Sequence, residues 1–212
     1  DTSGGLTLAG DLTVSGGEVF ITPVVSSASV TEGTVYYDSD DDQLKVYANG
    51  KWQADRATAT KIVAASDSQN KEKADYVCDG TNDESEIESA ITALPIGGGV
   101  VYLLEGTYSI GTSIDITKSN VTLIGTGKAT ILQRAWNDAV TNNGVITLGD
   151  GTNPYEGILI SQLQIDGQKA TYTSALNHGI LILGSVSRSK INDNWLVNNG
   201  GIGISLLGGS TS

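Results

Sequence analysis

From about residue 97 onward the chain is a succession of short apolar stretches, each closed by Gly, Asn or Asp. "VVYLLEGTYSI", "NVTLIGTG", "GVITLGD", "EGILISQLQIDG" and "HGILILGS" are of this kind. Stretches opening at Val121, Val145, Ile180 and Ile202 recur at about 20 to 35 residues. Runs this short, bounded by turn residues, read as strands rather than helices. A unit of this size cannot bury its own apolar face, so successive units must stack. The pattern predicts an all-β parallel solenoid in which inward residues of one pass lie on those of the next. The 27 glycines and 3 prolines of the 212-residue chain suit many short strands joined by turns.

One segment breaks the pattern. In "YVCDGTNDESEIESAI", Thr81 and Glu84 have capping-box spacing. Acidic residues fill the first turns, where the helix dipole favours them. Ile87, Ala90, Ile91 and Leu94 form one apolar stripe before Pro95 and three glycines stop the helix. A helix over about 83–94 is expected, with its stripe on the open end of the stack and its acidic face in water. Cys78, the single cysteine, reads as a small buried residue.

The N-terminal part divides in two. Residues 1–32 carry "LTLAGD" followed by "LTVSGG" and then "EVFITPVV". Leu6, Leu8, Leu12, Val14, Val19, Phe20 and Ile21 give this arm strand periodicity without an internal partner. Two readings stand: a frayed arm, or an oligomerisation stem that pairs with other copies. The second is preferred, with a trimer favoured and an open filament as the other outcome. Residues 33–58, "GTVYYDSDDDQLKVYANGKWQ" and its continuation, read as a small β meander with an Asn-Gly turn. Asp38, Asp40 and Asp42 alternate as in calcium loops, but the glycine and bidentate glutamate of such a loop do not follow. No metal, no cofactor and no calcium dependence of the fold is expected. Residues 59–212 are assigned to the solenoid. With no methionine in the chain, the sequence is read as an excised piece of something longer, its C-terminal passes missing.

The segment "ADYVCDGTNDESEIESAITALPIGGGVVYLLEGTYSIGTSIDITKSNVTLIGTG" resembles the start of the pectate-lyase-like right-handed parallel β-helix superfamily. That group includes polysaccharide lyases, glycoside hydrolases and many phage tailspikes. The first 53 residues are similar to stem modules of tail-fibre and surface-fibre proteins. The resemblance implies a right-handed β-helix, a trimeric assembly, and an extracellular place on a virion appendage or cell surface.

Charge narrows the partners. Asp+Glu number 24 against 12 Lys+Arg, a net charge of −12. Nothing basic clusters to replace phosphate counterions, which disfavours nucleic acid. No apolar run approaches a membrane span. Asp115, Asp138, Asp150, Asp166 and Asp193, with Arg134, Arg188 and the lone His178, are the candidates for catalysis, but no carboxylate pair recurs at a catalytic spacing. Asp150 and Asp166, each before Gly, read as turn formers, and His178 as a turn or surface histidine. Asn192, Asn194, Asn198 and Asn199 read as stacked corner asparagines. Trp195, followed by Leu196 and Val197, reads as core, while Trp136, away from any clear strand, reads as the better exposed of the two. Trp136, Tyr172, Asp166 and His178 are the candidates for binding surface polysaccharide, and no catalytic residue is named. The expected function is a structural and adhesive subunit of an extracellular fibre, spike or filament. The alternative is a polysaccharide depolymerase, a lyase or a glycoside hydrolase.

Overall fold

The computed structural model describes residues 31, 34–39, 43–48, 51–54, 59–69 and 71–208. The arm residues Leu6, Leu8, Leu12, Val14, Val19, Phe20 and Ile21 lie outside them, as do Asp40, Asp42 and the Asn49–Gly50 turn. The chain splits into two compact units, Asp1–Ala57 and Thr58–Ser212. Among the described residues of the first, β1 (Val35–Asp38), β2 (Gln43–Ala48) and β3 (Lys51–Ala54) form an antiparallel sheet in sequence order. Its pairs include Tyr36 with Lys45 and Tyr47 with Trp52.

The second unit begins with β4 (Thr60–Ala64), a 3-10 turn at Lys71–Lys73, β5 (Tyr76–Val77) and helix α1 (Glu84–Thr92). The chain then makes repeated passes. The first holds β6 (Gly99–Leu103), β7 (Gly106–Ile110) and β8 (Ile114–Ile116). The next holds β9 (Val121–Ile124), β10 (Thr130–Arg134) and β11 (Asn143–Leu148). Then come β12 (Tyr155–Glu156), β13 (Leu159–Ser161), β14 (Gln164–Asp166) and β15 (Asn177–Leu183). The last holds β16 (Val186–Ser187), β17 (Lys190–Asn192), β18 (Trp195–Val197) and β19 (Ile204–Leu207). Among the described residues of this unit all strand pairing is parallel, in sheets ordered β17-β13-β9-β6-β4-β5, β18-β14-β10-β7, β19-β15-β11-β8 and β12-β16.

This corrects the expectation of a single right-handed β-helix. The described residues of the second unit form several separate short parallel sheets of two to six strands with one α-helix. The sheets stay separate because every pass breaks at corners held in left-handed backbone, such as Asn120 (φ 59°), Gly149 (φ 85°) and Asn198 (φ 53°). At Gly149 a side chain would also meet the Leu183 carbonyl at 2.5 Å.

Period-2 alternation builds the core. Val101, Leu123 and Ile160 align across neighbouring strands, as do Tyr108, Leu132 and Ile165, and Ile114, Ile146 and Ile180. All nine are inaccessible to solvent. Each such aliphatic side chain contributes roughly 1.5–3 kcal/mol by leaving water.

Helix α1 packs on β4 to β8. Ile87, Ala90, Ile91 and Leu94 are buried, but the expected capping box is not made. Thr81 bonds Asp79 instead, its N–H and hydroxyl donating to Asp79 Oδ1. The acidic residues do not simply face water either. Asp83 Oδ2 accepts from the Ser109 amide at 2.7 Å, Glu84 Oε2 from Gly111 at 2.8 Å and Glu88 Oε1 from Asp115 at 2.8 Å. These amides belong to or border β7 and β8, the outermost strands of their sheets. The helix carboxylates thus stand in for the strand that an open sheet edge lacks. Lys118 closes the other end of the helix, its Nζ donating to the carbonyls of Ile91, Thr92 and Leu94.

Candidate functional site: a loop corner built on a buried arginine

The segments that follow β10, β14 and β18 are residues 135–142, 167–176 and 198–203, and they lead into β11, β15 and β19. In β10 the inward positions are Thr130, Leu132 and Arg134, so strand alternation carries a guanidinium into the interior. Arg134 is 1 % exposed. Its Nη1 donates to Asn143 Oδ1 at 2.9 Å and Asn177 Oδ1 at 3.4 Å, and its Nη2 to the His178 carbonyl at 2.8 Å. Its Nε has no partner. Burial lowers the Arg134 pKa to about 10, with Asp138 opposing the shift, so the group is charged at neutral pH.

Trp136 lies on this cation, with the guanidinium carbon 3.7 Å from the ring centroid. A desolvated cation against an indole face is among the stronger contacts of this type. Trp136 is half-buried and packs against the core, so it is less exposed than its sequence context suggested. Asn177, fully buried, ties two loops together: its Nδ2 donates to Asn137 Oδ1 at 2.7 Å and to the Tyr172 carbonyl at 3.3 Å. Its Oδ1 also accepts from the Asp138 amide at 3.2 Å. Tyr172 is partly exposed, and Val140, between β10 and β11, is 87 % exposed.

The structure therefore brings Trp136, Tyr172 and His178 to one corner through Arg134 and Asn177. Asp166 sits at the end of β14. Its Oδ1 accepts from the Gln168 amide and Asn198 Nδ2, and its Oδ2 from Gln168 Nε2. Beside it Gln168, Lys169, Ala170 and Asn198 line an open depression of about 450 Å³. His178 differs from the surface residue expected: it is 3 % exposed and lies within β15, opposite Gly144.

The other carboxylates serve their own segments. Asp138 accepts from the Thr141 hydroxyl and from the amides of Val140 and Thr141, which hold its pKa at about 2. Asp150 is held well below the usual range by the Asn153 amide and side chain, the Thr152 amide and the Tyr155 hydroxyl. Arg188 pairs with Glu156 at the surface, and Asp193 accepts from Asn192 Nδ2. Asn194 bonds both the Leu163 amide and the Ile160 carbonyl of the preceding pass. Glu88 and Asp115 border an open depression of about 420 Å³, where burial holds both above the usual carboxylate range. Cys78, Asp83 and Glu86 place one ligand-type atom each within 4.8 Å of one another. Burial, then the neighbouring carboxylates, push the Cys78 thiol far above its ordinary pKa.

Trp195 is not core. It pairs with Gln164 while the next residue, Leu196, pairs with the buried Ile165 and packs on the core. Trp195 therefore faces outward, with Lys128 Nζ 5.4 Å from its ring centroid. Sequence reasoning counted Arg134 only among the candidates for catalysis and did not single out Asn177; as buried supports of the corner both went unrecognised. The available signal was the Thr130, Leu132, Arg134 alternation, which continues an inward face onto a charged residue.

No protein-family model matches the chain, and no curated protein does. One solved structure is similar. It is the ORF18 protein of Geobacillus virus E2, with a TM-score of 0.49 and 22% sequence identity over 77% of this chain and 35% of that one. The chain spans about a third of that viral protein's length. These comparisons give the pectate-lyase-like resemblance no counterpart. Among the described residues no helix is long and apolar enough to cross a membrane.

Proposed function

We propose that the chain is a structural and adhesive component of an extracellular fibre or spike, and that its loop corner contacts surface polysaccharide. The observation that carries this reading is the Trp136 ring, fixed on a buried guanidinium while remaining partly exposed. A pyranose presents an apolar C–H face, and a rigid aromatic plane takes it at little entropic cost. Tyr172, Gln168 and Lys169 would surround such a sugar with an aromatic edge and hydrogen-bond donors. Asp138 and Asp150, bound within their own turns, are held below the usual carboxylate range and suit no general acid. Assembly into a trimer through residues 1–25 belongs to the same reading and rests on their strand periodicity.

Calorimetric titration of purified bacterial surface polysaccharides into the parent chain and into Trp136→Ala tests it. Binding by the parent, weakened at least about fivefold in Trp136→Ala, is expected, since a well-placed aromatic contact is worth about 1 kcal/mol or more. Equal binding by both chains would refute the site. Release of new reducing ends from the polysaccharide would favour the depolymerase reading.

A further inference from the structure

His178 sits where three successive passes meet. Its Nδ1 accepts the Ile202 amide at 2.9 Å, and its Nε2 lies 3.0 Å from Asn142 Oδ1. A backbone amide only donates, so Nδ1 carries no proton and Nε2–H donates to Asn142. One neutral ring therefore joins the segment before β11, strand β15 and the segment before β19. The chain passes so close over the ring that a side chain at Gly201 would meet Nδ1 at 2.6 Å. Gly201 is held there by its own amide, which donates to the Asn177 carbonyl at 2.7 Å.

We propose that His178 is an acid-sensitive latch: neutral, it ties residues 142 and 202 to β15, and on taking a proton it releases the last pass. Protonation would set Nδ1–H against the Ile202 N–H, two donors with no acceptor between them. The new charge would also lie beside Arg134, whose Nη2 donates to the His178 carbonyl. Asp138 is the one carboxylate on residues 135–142; it is ionised, its charge acts on Arg134, and its oxygens are engaged by its own turn. Neither β11 nor residues 198–203 contain a charged residue. Burial and then Arg134 hold the imidazole below its ordinary pKa. The latch is independent of what the loop corner binds.

The chain has one histidine, so its ring signals in an NMR pH titration of the intact protein need no assignment. The expected result is a single titration below the ordinary imidazole value of about 6.5. In the same step the Ile202 amide should lose protection, its exchange rising about tenfold after correction for intrinsic rates, while the Leu132 and Ile165 amides stay protected. In His178→Gln, which cannot take a proton, that step should vanish. An imidazole titrating at or above the ordinary value, an Ile202 amide indifferent to it, or the same step in His178→Gln would overturn the proposal. Should His178→Gln not fold, the titration of the parent chain decides alone.

Discussion

Replacing Asp83 by alanine is expected to destabilise the second unit by about 2–4 kcal/mol. The Asp83 side chain accepts two backbone amides, Gly80 at 2.9 Å and Ser109 at 2.7 Å, and the residue is inaccessible to solvent. A hydrogen bond to a charged group contributes about 1.5–3 kcal/mol, and both donors would be left without an acceptor. The gross loss is therefore roughly 3–6 kcal/mol. Relief opposes it: burial raises the Asp83 pKa, so the carboxylate itself is held at some cost. Urea unfolding followed by circular dichroism measures the difference, with Asp79→Ala as the control. Asp79 is in the same segment and also accepts two bonds, both from Thr81 within its own turn. That variant should unfold close to the parent midpoint. If the two variants lost equal stability, the carboxylates of α1 would not be closing the sheet edges.

Glu88→Gln keeps an acceptor for the Asp115 amide and removes a carboxylate whose folded pKa burial raises. A raised acid pKa means the charge costs stability above the folded pKa and nothing below the unfolded one. The variant should therefore melt above the parent at pH 7 and level with it near pH 4, measured by thermal scans at both values. Deleting residues 1–25 should convert an oligomer into a folded monomer by light scattering. An intact chain that is monomeric at micromolar concentration would sink the stem. Calcium should leave the melting temperature unchanged; a clear rise on addition, reversed by chelator, would contradict that expectation.

Local chemistry was legible in the sequence. Period-2 alternation set the inner face of β10, with Thr130, Leu132 and Arg134 buried, and the apolar stripe of α1 marked Ile87, Ala90 and Ile91. Such patterns depend on neighbours two to four residues away, and those are written in order along the chain. What each polar group meets across a parallel sheet was not legible, because the partner lies on another pass. Gln164 finds Trp195 across 31 positions, and Arg134 finds the His178 carbonyl across 44. The outward turn of Trp195 follows from that register, since Leu196 takes the inward place beside Ile165. Likewise "NDESEIESAI" specified an acidic helix with a greasy stripe, but only docking on β7 and β8 decided that three of its carboxylates accept amides. The division into separate sheets was also a tertiary outcome: the corner residues are visible in the sequence, but where the ladders stop depends on which passes align. Apolar burial is non-directional and leaves its period in the sequence, whereas hydrogen bonds are directional and their partners exist only once the passes are stacked.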